Sequence, residues 1–260
     1  PNSILSVAAS IHGLFDYVIV DGNLEAHPQD VIQRYIQSQS IKYVAFTVMP
    51  GPQLKQAIPI AKWIKTNYPE ITMIWGGYFA SNQSGVVMDS GFVDYIVYGP
   101  GDKAFPMLLK HLEQALPNHL IPNLIWKENG IVVKNHKDEL YEKDSLPDLP
   151  FARLNDFYPL SNYLGKTYLG TKTIAYHSSI GCPFTCAFCG IVPIYNARWK
   201  GKSAELIYRD IRYLVDNYGG NAIEFHDNNF FVSEQRTKTF CNLIRNDNIG
   251  WWLSLIHISQ

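Results

Sequence analysis

Short apolar runs that alternate with helical patterns fill the first 116 residues and restrict the fold more than any other feature. Each run is nearly all apolar, as expected for a strand covered on both faces of a sheet. Between two of these runs, residues 54–64 carry apolar side chains at helical spacing. Strands that alternate with helices predict parallel β-α-β units. The predicted strands are Tyr17–Val20, Tyr43–Val48, Ile71–Trp75 and Tyr95–Tyr98.

Glycines follow most of these predicted strands. Gly22, Gly76, Gly77 and Gly99 stand where the backbone turns tightly or approaches a ligand closely. Ligands of open α/β sheets bind at the carboxyl ends of the strands. The glycines therefore indicate either a ligand site at this edge or tight turns alone, and both interpretations stay open.

Three cysteines lie within eight residues: Cys182, Cys186 and Cys189, spaced C-x3-C-x2-C. Clusters of the 4Fe-4S type normally take four Cys thiolates. With three, one iron keeps an open coordination position, which metal-based catalysis requires. The fourth cysteine, Cys241, lies far away in a predicted helix. Zinc sites use paired C-x2-C or His pairs, and disulfide frameworks belong to secreted chains, so both fit this pattern less well.

The cysteines follow a strand-like run, Thr173–Ile180, and precede a second β-α series. Ser203 predicts a helix N-cap with Glu205 in the first turn. The next predicted strand is Ala222–His226, and a further helix begins near Ser233. In (β/α) barrels the active site lies at the carboxyl ends of the strands, so the cysteine loop is predicted at the active end.

The C-x3-C-x2-C motif resembles the signature of the radical S-adenosylmethionine superfamily. The resemblance implies a cluster that binds S-adenosylmethionine on its open iron and cleaves it to a 5′-deoxyadenosyl radical. It also implies that Phe188, before the third cysteine, lies near the adenine. The segment with Glu224, His226 and Asp227 stands where the superfamily often has a Gly-Gly-Glu-type sequence for the methionine ammonium, and it departs from that sequence. Packing of Phe188 and turn capping by the carboxylates are the structural alternatives.

A flavodoxin-like domain upstream of such a barrel resembles the cobalamin-binding domain of cobalamin-dependent radical S-adenosylmethionine enzymes. In that group the loops after the strands surround the corrin and its nucleotide tail. The loop Gly99–Asp102 is a loose match to the usual Gly-Glu-Gly-Glu. The resemblance implies these cobalamin-contacting residues: Asp21, Asn23, Thr47, Met49, Gly76, Gly77, Tyr78 and Gly99.

Composition excludes several other classes of protein. The 260 residues are 47% hydrophobic, so the chain is not of the disordered type. A formal net charge of −1 without a basic block argues against a nucleic-acid partner. No apolar run approaches the ~20 residues of a membrane span, and no secretory leader is visible. A cytoplasmic protein is expected, as an oxygen-sensitive cluster also requires.

The sequence predicts three regions. Residues 1–116 are expected to form a doubly wound, flavodoxin-like domain that lacks its first, central strand. Residues 117–170 are expected to be a connector, with a hairpin around Asn129-Gly130. Residues 171–260 are expected to hold the first βα units of a truncated (β/α) barrel. Residues 253–260 resemble translated adapter sequence, and the chain is expected to be inactive on its own.

The resulting hypothesis is a radical S-adenosylmethionine enzyme that uses cobalamin to methylate or cyclise an unactivated carbon. The implied partners are a small-molecule or cofactor-precursor substrate and an electron donor such as flavodoxin or ferredoxin. One alternative is a radical enzyme whose first domain is structural and binds no cobalamin. A second, non-enzymatic alternative is a cobalamin carrier or an iron–sulfur electron-transfer module.

Overall fold

The protein forms two compact units of mixed α/β structure. The computed structural model describes residues 2–114, 117–138, 140, 144–145 and 148–253. One unit is made of residues 6–139, and the other of residues 140–260 together with residues 1–5. Each unit contains parallel strands connected by helices, so the predicted α/β class is confirmed. The domain limits inferred from the sequence stay a prediction.

A five-stranded sheet organises the first unit, in the order β1-β2-β3-β4-β5. The first three strands are parallel, and the last two are antiparallel. The strands are β1 (Tyr43–Thr47), β2 (Thr72–Gly76), β3 (Tyr95–Val97), β4 (Leu124–Glu128) and β5 (Ile131–Lys134). The helices are α1 (Asn2–Ile11), α2 (Pro28–Ser38), α3 (Pro52–Asn67), α4 (Gly77–Asn82), α5 (Ser84–Asp89) and α6 (Ala104–Gln114), with a 3-10 turn at Asn118–Leu120.

Strand β2 shows why the predicted strands are apolar throughout. Met73 and Trp75 point into a core shared with α3, α4 and α5, whereas Ile74 points into a second core shared with α6. All three side chains are buried. Successive side chains of a strand face opposite sides of the sheet, so a strand covered on both faces buries every residue.

The predicted strand at Tyr17–Val20 is wrong. Residues 16–21 have no strand assignment, although Ile19 and Asp21 are buried. A strand needs a hydrogen-bonded neighbour. Among the residues described, β1 pairs only with β2, so it forms no ladder with residues 16–21. A β-type composition alone does not produce a strand.

The predicted hairpin at Asn129-Gly130 is confirmed, and it extends the first sheet. Asn129 and Gly130 both have positive φ, 51° and 80°, as the favoured two-residue turn requires. The hairpin pairs antiparallel with β3 through β4. The region predicted as a connector thus supplies two strands of the sheet.

The second unit contains the predicted start of a β-α series. It comprises α7 (Phe151–Phe157), a 3-10 turn at Leu160–Tyr163, β6 (Thr173–Tyr176), β7 (Ser179–Gly181), α8 (Val192–Tyr195), β8 (Trp199–Gly201), α9 (Ala204–Tyr218), β9 (Ala222–Phe225), α10 (Glu234–Ile244) and β10 (Gly250–Leu253). Strands β10, β9 and β6 form a parallel sheet in that order, and β7 and β8 form an antiparallel pair.

The helix boundaries of this unit follow their predicted signals. The Ser203 hydroxyl accepts a hydrogen bond from the Leu206 N–H at the start of α9. Gly219, with φ +71°, ends this helix in the left-handed conformation. Ser233 caps α10 in the same manner as Ser203 caps α9. The predicted run Thr173–Ile180 is instead two strands, β6 and β7, interrupted at His177 and Ser178.

One expectation falls outside the described part of the chain. The adapter-like segment lies there except for its first residue, Leu253. Among the residues that the structure does describe, no helix is long and apolar enough to cross a membrane.

Candidate functional site

The cysteine loop leaves β7 at a glycine that no other residue replaces easily. Gly181 has φ +77°, and a Cβ there would collide with the carbonyl oxygen of Arg198, the residue just before the paired strand. This close approach lets β7 and β8 pair antiparallel, with Gly181 opposite Trp199. Cys182 therefore begins its loop from a fixed position at the end of a paired strand.

Within the loop, backbone hydrogen bonds form a turn around the last two cysteines. The Cys189 N–H donates to the Cys186 carbonyl oxygen at 3.0 Å, and the Val192 N–H donates to the Cys189 carbonyl oxygen at 3.3 Å. All three thiols are partly exposed, and no cysteine of the described chain forms a disulfide. Phe188, between them, is 84% exposed, so it is not a packed loop aromatic.

The three thiols of this loop are the ligand type of an iron–sulfur cluster. No three His, Cys, Asp or Glu side chains of the described residues converge as ligands of one metal ion would. A cubic iron–sulfur cluster binds each thiolate at a different corner, so its ligands stay further apart. Three thiols on one exposed loop fit that requirement.

A buried polar group lies directly beneath the loop; we call it the polar anchor (Ser178, Ser179, Asp227 and Arg236). Asp227 is 8% exposed, and it accepts hydrogen bonds from the Ser178 N–H at 2.7 Å and from the Ser179 hydroxyl at 2.6 Å. Its Oδ2 also accepts a 2.5 Å hydrogen bond from the Ser178 hydroxyl. These bonds pull the chain out of the β6 ladder and start β7, which explains the interrupted strand.

Arg236 completes the polar anchor from helix α10. Its Nε donates to the Lys202 carbonyl oxygen at 2.8 Å, and Nη1 donates to the Phe230 carbonyl oxygen at 2.9 Å. Nη2 contacts the Ser178 hydroxyl and lies 3.8 Å from Asp227 Oδ2. The guanidinium thus connects β7, β8 and the loop after β9. Sequence reasoning missed Arg236, because a helical arginine normally faces solvent.

The two carboxylates predicted near the methionine ammonium have different environments. The Asp227 side chain is 1% exposed, and both its oxygens accept hydrogen bonds from the polar anchor. The Glu224 side chain is 34% exposed, and its Oε1 lies 3.3 Å from Nε2 of His226, which is 45% exposed. Glu224 and His226 are therefore accessible, whereas Asp227 is fully engaged inside the protein.

His177, at the end of β6, faces His226 across the sheet, with ring centroids 5.8 Å apart. Burial lowers the pKa of His177, the nearby Asp227 carboxylate raises it, and His226 lowers it again; the net shift is downward. His177 is thus neutral at pH 7. In the sequence, His177 lies inside the predicted run Thr173–Ile180, which gave no reason to prefer it over other histidines.

A cavity of about 710 Å³ opens at the opposite ends of these strands. Cys241 lines it together with Asn221, which precedes β9, and Gly250, which begins β10. The three clustered cysteines instead lie on the side where β9 ends. Cys241 is therefore separated from them, as its place in the sequence predicted.

In the first unit, the loops at the carboxyl edge are connected by hydrogen bonds. Asp21 Oδ1 accepts from the Asn23 N–H at 2.9 Å. Asn23 Oδ1 accepts from the Gln53 side-chain amide at 3.4 Å, and Gln53 Oε1 accepts from the Met49 N–H at 2.8 Å. Asp21, Asn23 and Met49 thus lie together, and the Met49 side chain is 50% exposed.

Gly77 is required by close packing within the protein. It has φ +81°, and a Cβ there would lie 2.5 Å from Thr47 Oγ1 and 3.3 Å from the Val48 nitrogen. A Cβ on Gly76 would lie 3.3 Å from the Val97 carbonyl oxygen. These contacts bring Thr47, Gly76 and Gly77 together, and they give both glycines a structural role in the turn.

Next to these glycines, Tyr78 lines a groove of about 250 Å³ together with Pro50, Phe79, Asn82 and Gln83. The Gly99 N–H donates to the Ser81 hydroxyl at 2.8 Å, so the loop after β3 is joined to α4, the helix that follows β2. Asp102 accepts a hydrogen bond from the Ser6 hydroxyl at 2.9 Å. Burial raises the pKa of Asp102. The hydrogen bonds from the Ser6 hydroxyl and from the Asp102 backbone lower this pKa, but they offset only part of the rise.

The sequence is similar to those of methyltransferases and of a cyclase, although none of the protein-family models matches it. It is 25% identical over 257 residues to an uncharacterized methyltransferase of Pyrococcus horikoshii, covering 98% of this chain and 54% of that protein. It is 25% identical over 192 residues to the anaerobic magnesium-protoporphyrin IX monomethyl ester cyclase of Synechocystis, covering 72% of this chain and 36% of the cyclase. The chain thus spans about half the length or less of these relatives.

Solved structures share the fold of nearly the whole chain. The cobalamin-dependent S-adenosylmethionine radical enzyme OxsB, with aqua-cobalamin and S-adenosylmethionine bound, has a TM-score of 0.75 at 17% identity, covering 96% of this chain and 35% of OxsB. The radical S-adenosylmethionine methyltransferase TsrM of Kitasatospora setae, with cobalamin and a [4Fe-4S] cluster bound, has a TM-score of 0.68 at 16% identity, covering 94% of this chain and 47% of TsrM. In its fold, the predicted resemblance to cobalamin-dependent radical S-adenosylmethionine enzymes is confirmed.

Proposed function

We propose that this chain carries the cofactor-binding part of a cobalamin-dependent radical S-adenosylmethionine enzyme. Cys182, Cys186 and Cys189 would hold a 4Fe-4S cluster. When bound, the cluster supplies one electron that cleaves S-adenosylmethionine to a 5′-deoxyadenosyl radical. The observation that carries the proposal is the exposed three-cysteine loop at the carboxyl ends of β6 and β9, in a fold shared with enzymes of this kind.

The surroundings of the loop supply candidate contacts for S-adenosylmethionine. Glu224 is a partly exposed carboxylate at a strand end and would accept hydrogen bonds from the methionine ammonium, since charge-assisted bonds are the strong ones. His226 would orient Glu224 through their 3.3 Å contact. Phe188 has an exposed ring that would cover the adenine. Asp227 would act only indirectly, by fixing Ser178 and Ser179 beneath the loop.

The carboxyl edge of the first unit would bind cobalamin. Three features support this assignment: connected loops, an exposed Met49 and the groove beside Tyr78. The corrin would lie across this edge, as ligands do in open α/β sheets. The residues proposed to surround it are Asp21, Asn23, Thr47, Met49, Gly76, Gly77, Tyr78 and Gly99.

The proposed reaction is methylation or oxidative cyclisation of an unactivated carbon in a small molecule or cofactor precursor. The electron donor would be a flavodoxin or a ferredoxin, and the cytoplasm would supply the reducing conditions. Residues 1–260 alone are proposed to be inactive, because a (β/α) barrel closes with more strands than β6, β9 and β10.

Anaerobic reconstitution tests the cluster assignment. The full-length protein is expected to bind about four irons and to cleave S-adenosylmethionine when reduced. Cys186→Ala should abolish this cleavage, because it removes one thiolate of the loop. Cys241→Ala is the matched control and should change nothing. Loss of the cluster in Cys241→Ala alone would show that the metal is held elsewhere.

Corrin retention separates the proposal from a radical enzyme whose first unit is only structural. Full-length protein incubated with hydroxocobalamin should keep corrin absorbance after desalting. Met49→Glu should reduce it by placing a charge against an apolar face, whereas Val86→Glu, at another exposed apolar residue, should not. Absence of corrin from the wild type would favour the structural alternative.

A further inference from the structure

Asn229 reaches the first cysteine of the loop from the segment after β9. Its side-chain amide nitrogen lies 3.8 Å from Cys182 Sγ, within hydrogen-bond distance for a sulfur acceptor. Amide nitrogens only donate, so the N–H points toward the sulfur. Both side chains are partly buried, and water therefore competes less for this contact than it would at an open surface.

The position of Asn229 is fixed by its own backbone. The Asn229 carbonyl oxygen accepts from Trp199 Nε1 at 2.9 Å and from the Ser179 hydroxyl at 3.4 Å. The next residue, Phe230, is 1% exposed, and its carbonyl oxygen accepts from Arg236. These hydrogen bonds fix the backbone at Asn229 and Phe230, and they thereby hold the side-chain amide of Asn229 in place.

Trp199 joins Asn229 to the strand that leads into Cys182. It pairs with Gly181, the residue immediately before Cys182, and its indole donates to Asn229. The amide and the thiol are thus both held by the same antiparallel pair of strands, β7 and β8. Their contact is a property of the folded chain and needs no metal to form.

An N–H directed at a cluster sulfur favours the reduced cluster. Reduction adds one negative charge, which the thiolate ligands share, so a donor dipole stabilises the reduced form more than the oxidised one. Hydrogen bonds to the sulfurs are among the factors that set the potentials of iron–sulfur clusters, and groups that contact metal ligands tune the metal in general.

We propose that Asn229 raises the reduction potential of the cluster bound by Cys182, Cys186 and Cys189, through its hydrogen bond to Cys182 Sγ. This inference rests on the proposed function. It assigns Asn229 a specific task, which is to make the cluster easier for the physiological donor to reduce.

A redox titration of the reconstituted full-length protein, followed by electron paramagnetic resonance, tests the proposal. Asn229→Leu keeps the side-chain size but removes the donor, so the midpoint potential should shift to a more negative value. Asn229→Asp replaces the donor with a negative charge and should shift the potential further in the same direction. Asn228→Leu is the matched control and should leave the potential unchanged, since Asn228 makes no side-chain hydrogen bond to any described residue.

Each outcome decides the matter. Equal midpoint potentials in wild type and Asn229→Leu, at equal iron content, overturn the proposal. If Asn229→Leu binds no cluster, Asn229→Asp gives the answer. Absence of the cluster from both variants also overturns the proposal, because Asn229 is then needed for assembly. Absence of a cluster from the wild type refutes the proposed function itself and is seen before any potentials are compared.

Discussion

Glu224 and Asp227 are carboxylates three residues apart, yet their environments give them different tasks. Asp227 is buried and bonded by the polar anchor, whereas Glu224 is accessible beside His226. Removal of one member of a buried charged pair costs far more stability than a change at a partly exposed residue. Substitutions at these two positions should therefore affect different measurements.

We predict that Asp227→Ala lowers the free energy of unfolding by about 3–5 kcal/mol, because Arg236 loses its buried counter-charge. Glu224→Gln should change the free energy of unfolding by no more than about 0.5 kcal/mol. It should weaken S-adenosylmethionine binding about tenfold or more, since hydrogen bonds to charged groups contribute about 1.5–3 kcal/mol. Urea denaturation and calorimetric titration measure the two effects. Unchanged affinity in Glu224→Gln would remove Glu224 from the site.

Gly77 allows a second prediction at a single residue. Gly77→Ala should destabilise the first unit in two ways, through its positive φ and through the contact of the new Cβ with Thr47 Oγ1. Gly91 has nearly the same φ, +78°, but a Cβ at Gly91 would have no atom within 4 Å. Gly91→Ala therefore reports the φ cost alone, about 1 kcal/mol. The Thr47→Ala, Gly77→Ala double variant should recover part of the difference between the two.

Thermal unfolding of these variants checks the prediction. A similar loss of stability in Gly77→Ala and Gly91→Ala would show that the Thr47 contact relaxes without cost. In that case Gly77 would be free to serve a ligand, and its substitution would be a clean test of cobalamin binding. As the structure stands, Met49 is the better position for that test, because its side chain is exposed.

At the scale of elements, a buried ion pair joins helix α9 to the strands that flank the cysteine loop. Lys202, just after β8, lies 2.7 Å from Asp210 Oδ2, and the Tyr176 hydroxyl of β6 donates to the same oxygen at 2.7 Å. Burial by itself would raise the pKa of Asp210, but Lys202, Tyr176 and Arg209 more than offset burial, so the pKa lies below its ordinary value.

The lowered pKa of Asp210 predicts how stability depends on pH. A depressed folded-state pKa gives stability that is present above the unfolded-state pKa, about 4, and that is lost as the pH falls through the lower folded-state value. The difference in unfolding free energy between wild type and Asp210→Asn should therefore be largest above about pH 4 and shrink on acidification. Urea denaturation between about pH 2 and 6 measures it.

Asp216→Asn on the same helix is the control for this prediction. Asp216 pairs with Arg212, but its side chain is 55% exposed, and exposed pairs contribute little. Its substitution should produce a small difference with little dependence on pH. If the difference in unfolding free energy between wild type and Asp210→Asn does not change with pH, Lys202 has found another partner after the carboxylate is removed.

Elements defined by local signals were predictable from the sequence, whereas those defined by distant partners were not. Ser203 and Ser233 cap their helices, and Asn129-Gly130 forms its turn, because each signal acts within four residues. The break between β6 and β7 depends on Asp227, 49 residues away from Ser178. The prediction of a strand at residues 17–20 was wrong for the same reason, since strand formation there depends on a partner strand distant in the sequence.

The residues of the candidate site also fall into two groups, those predicted from the sequence and those recognised only in the folded structure. Spacing pointed to the cysteines, and the resemblance to the radical S-adenosylmethionine superfamily pointed to Phe188 and Glu224. Arg236 and Asn229 were not, because only the folded chain brings a helical arginine under the loop and an amide next to Cys182. Spacing identifies the ligands of a metal, and tertiary structure identifies the residues that support them.

At the scale of the whole molecule, the outer edge of β1 is the exposed feature with the largest consequence. Among the residues described, Tyr43–Thr47 pairs only with β2, which leaves one row of backbone groups without a ladder partner. Unpaired edges of this kind attract other chains. Ala45, at the centre of β1, is exposed.

We predict that residues 1–260, produced alone, associate through this edge. Ala45→Lys should reduce the association, because a lysine on an edge strand opposes strand pairing. Ala152→Lys, on an exposed position of α7, should leave it unchanged. Light scattering coupled to size-exclusion chromatography measures the mass of each variant. A monomeric wild type, or equal association of all three proteins, would contradict the prediction.

The polar anchor also has a consequence for the order of maturation. It bridges parts of the chain that are 49 and 58 residues apart, so the folded chain closes these long loops with its own side chains. The conformational entropy of closing them is lost at that stage, and iron and sulfide then have only the short segment from Cys182 to Cys189 to order. With the proposed cluster at this loop, folding and metal binding would be separate events, and the folded apoprotein would exist before iron binds.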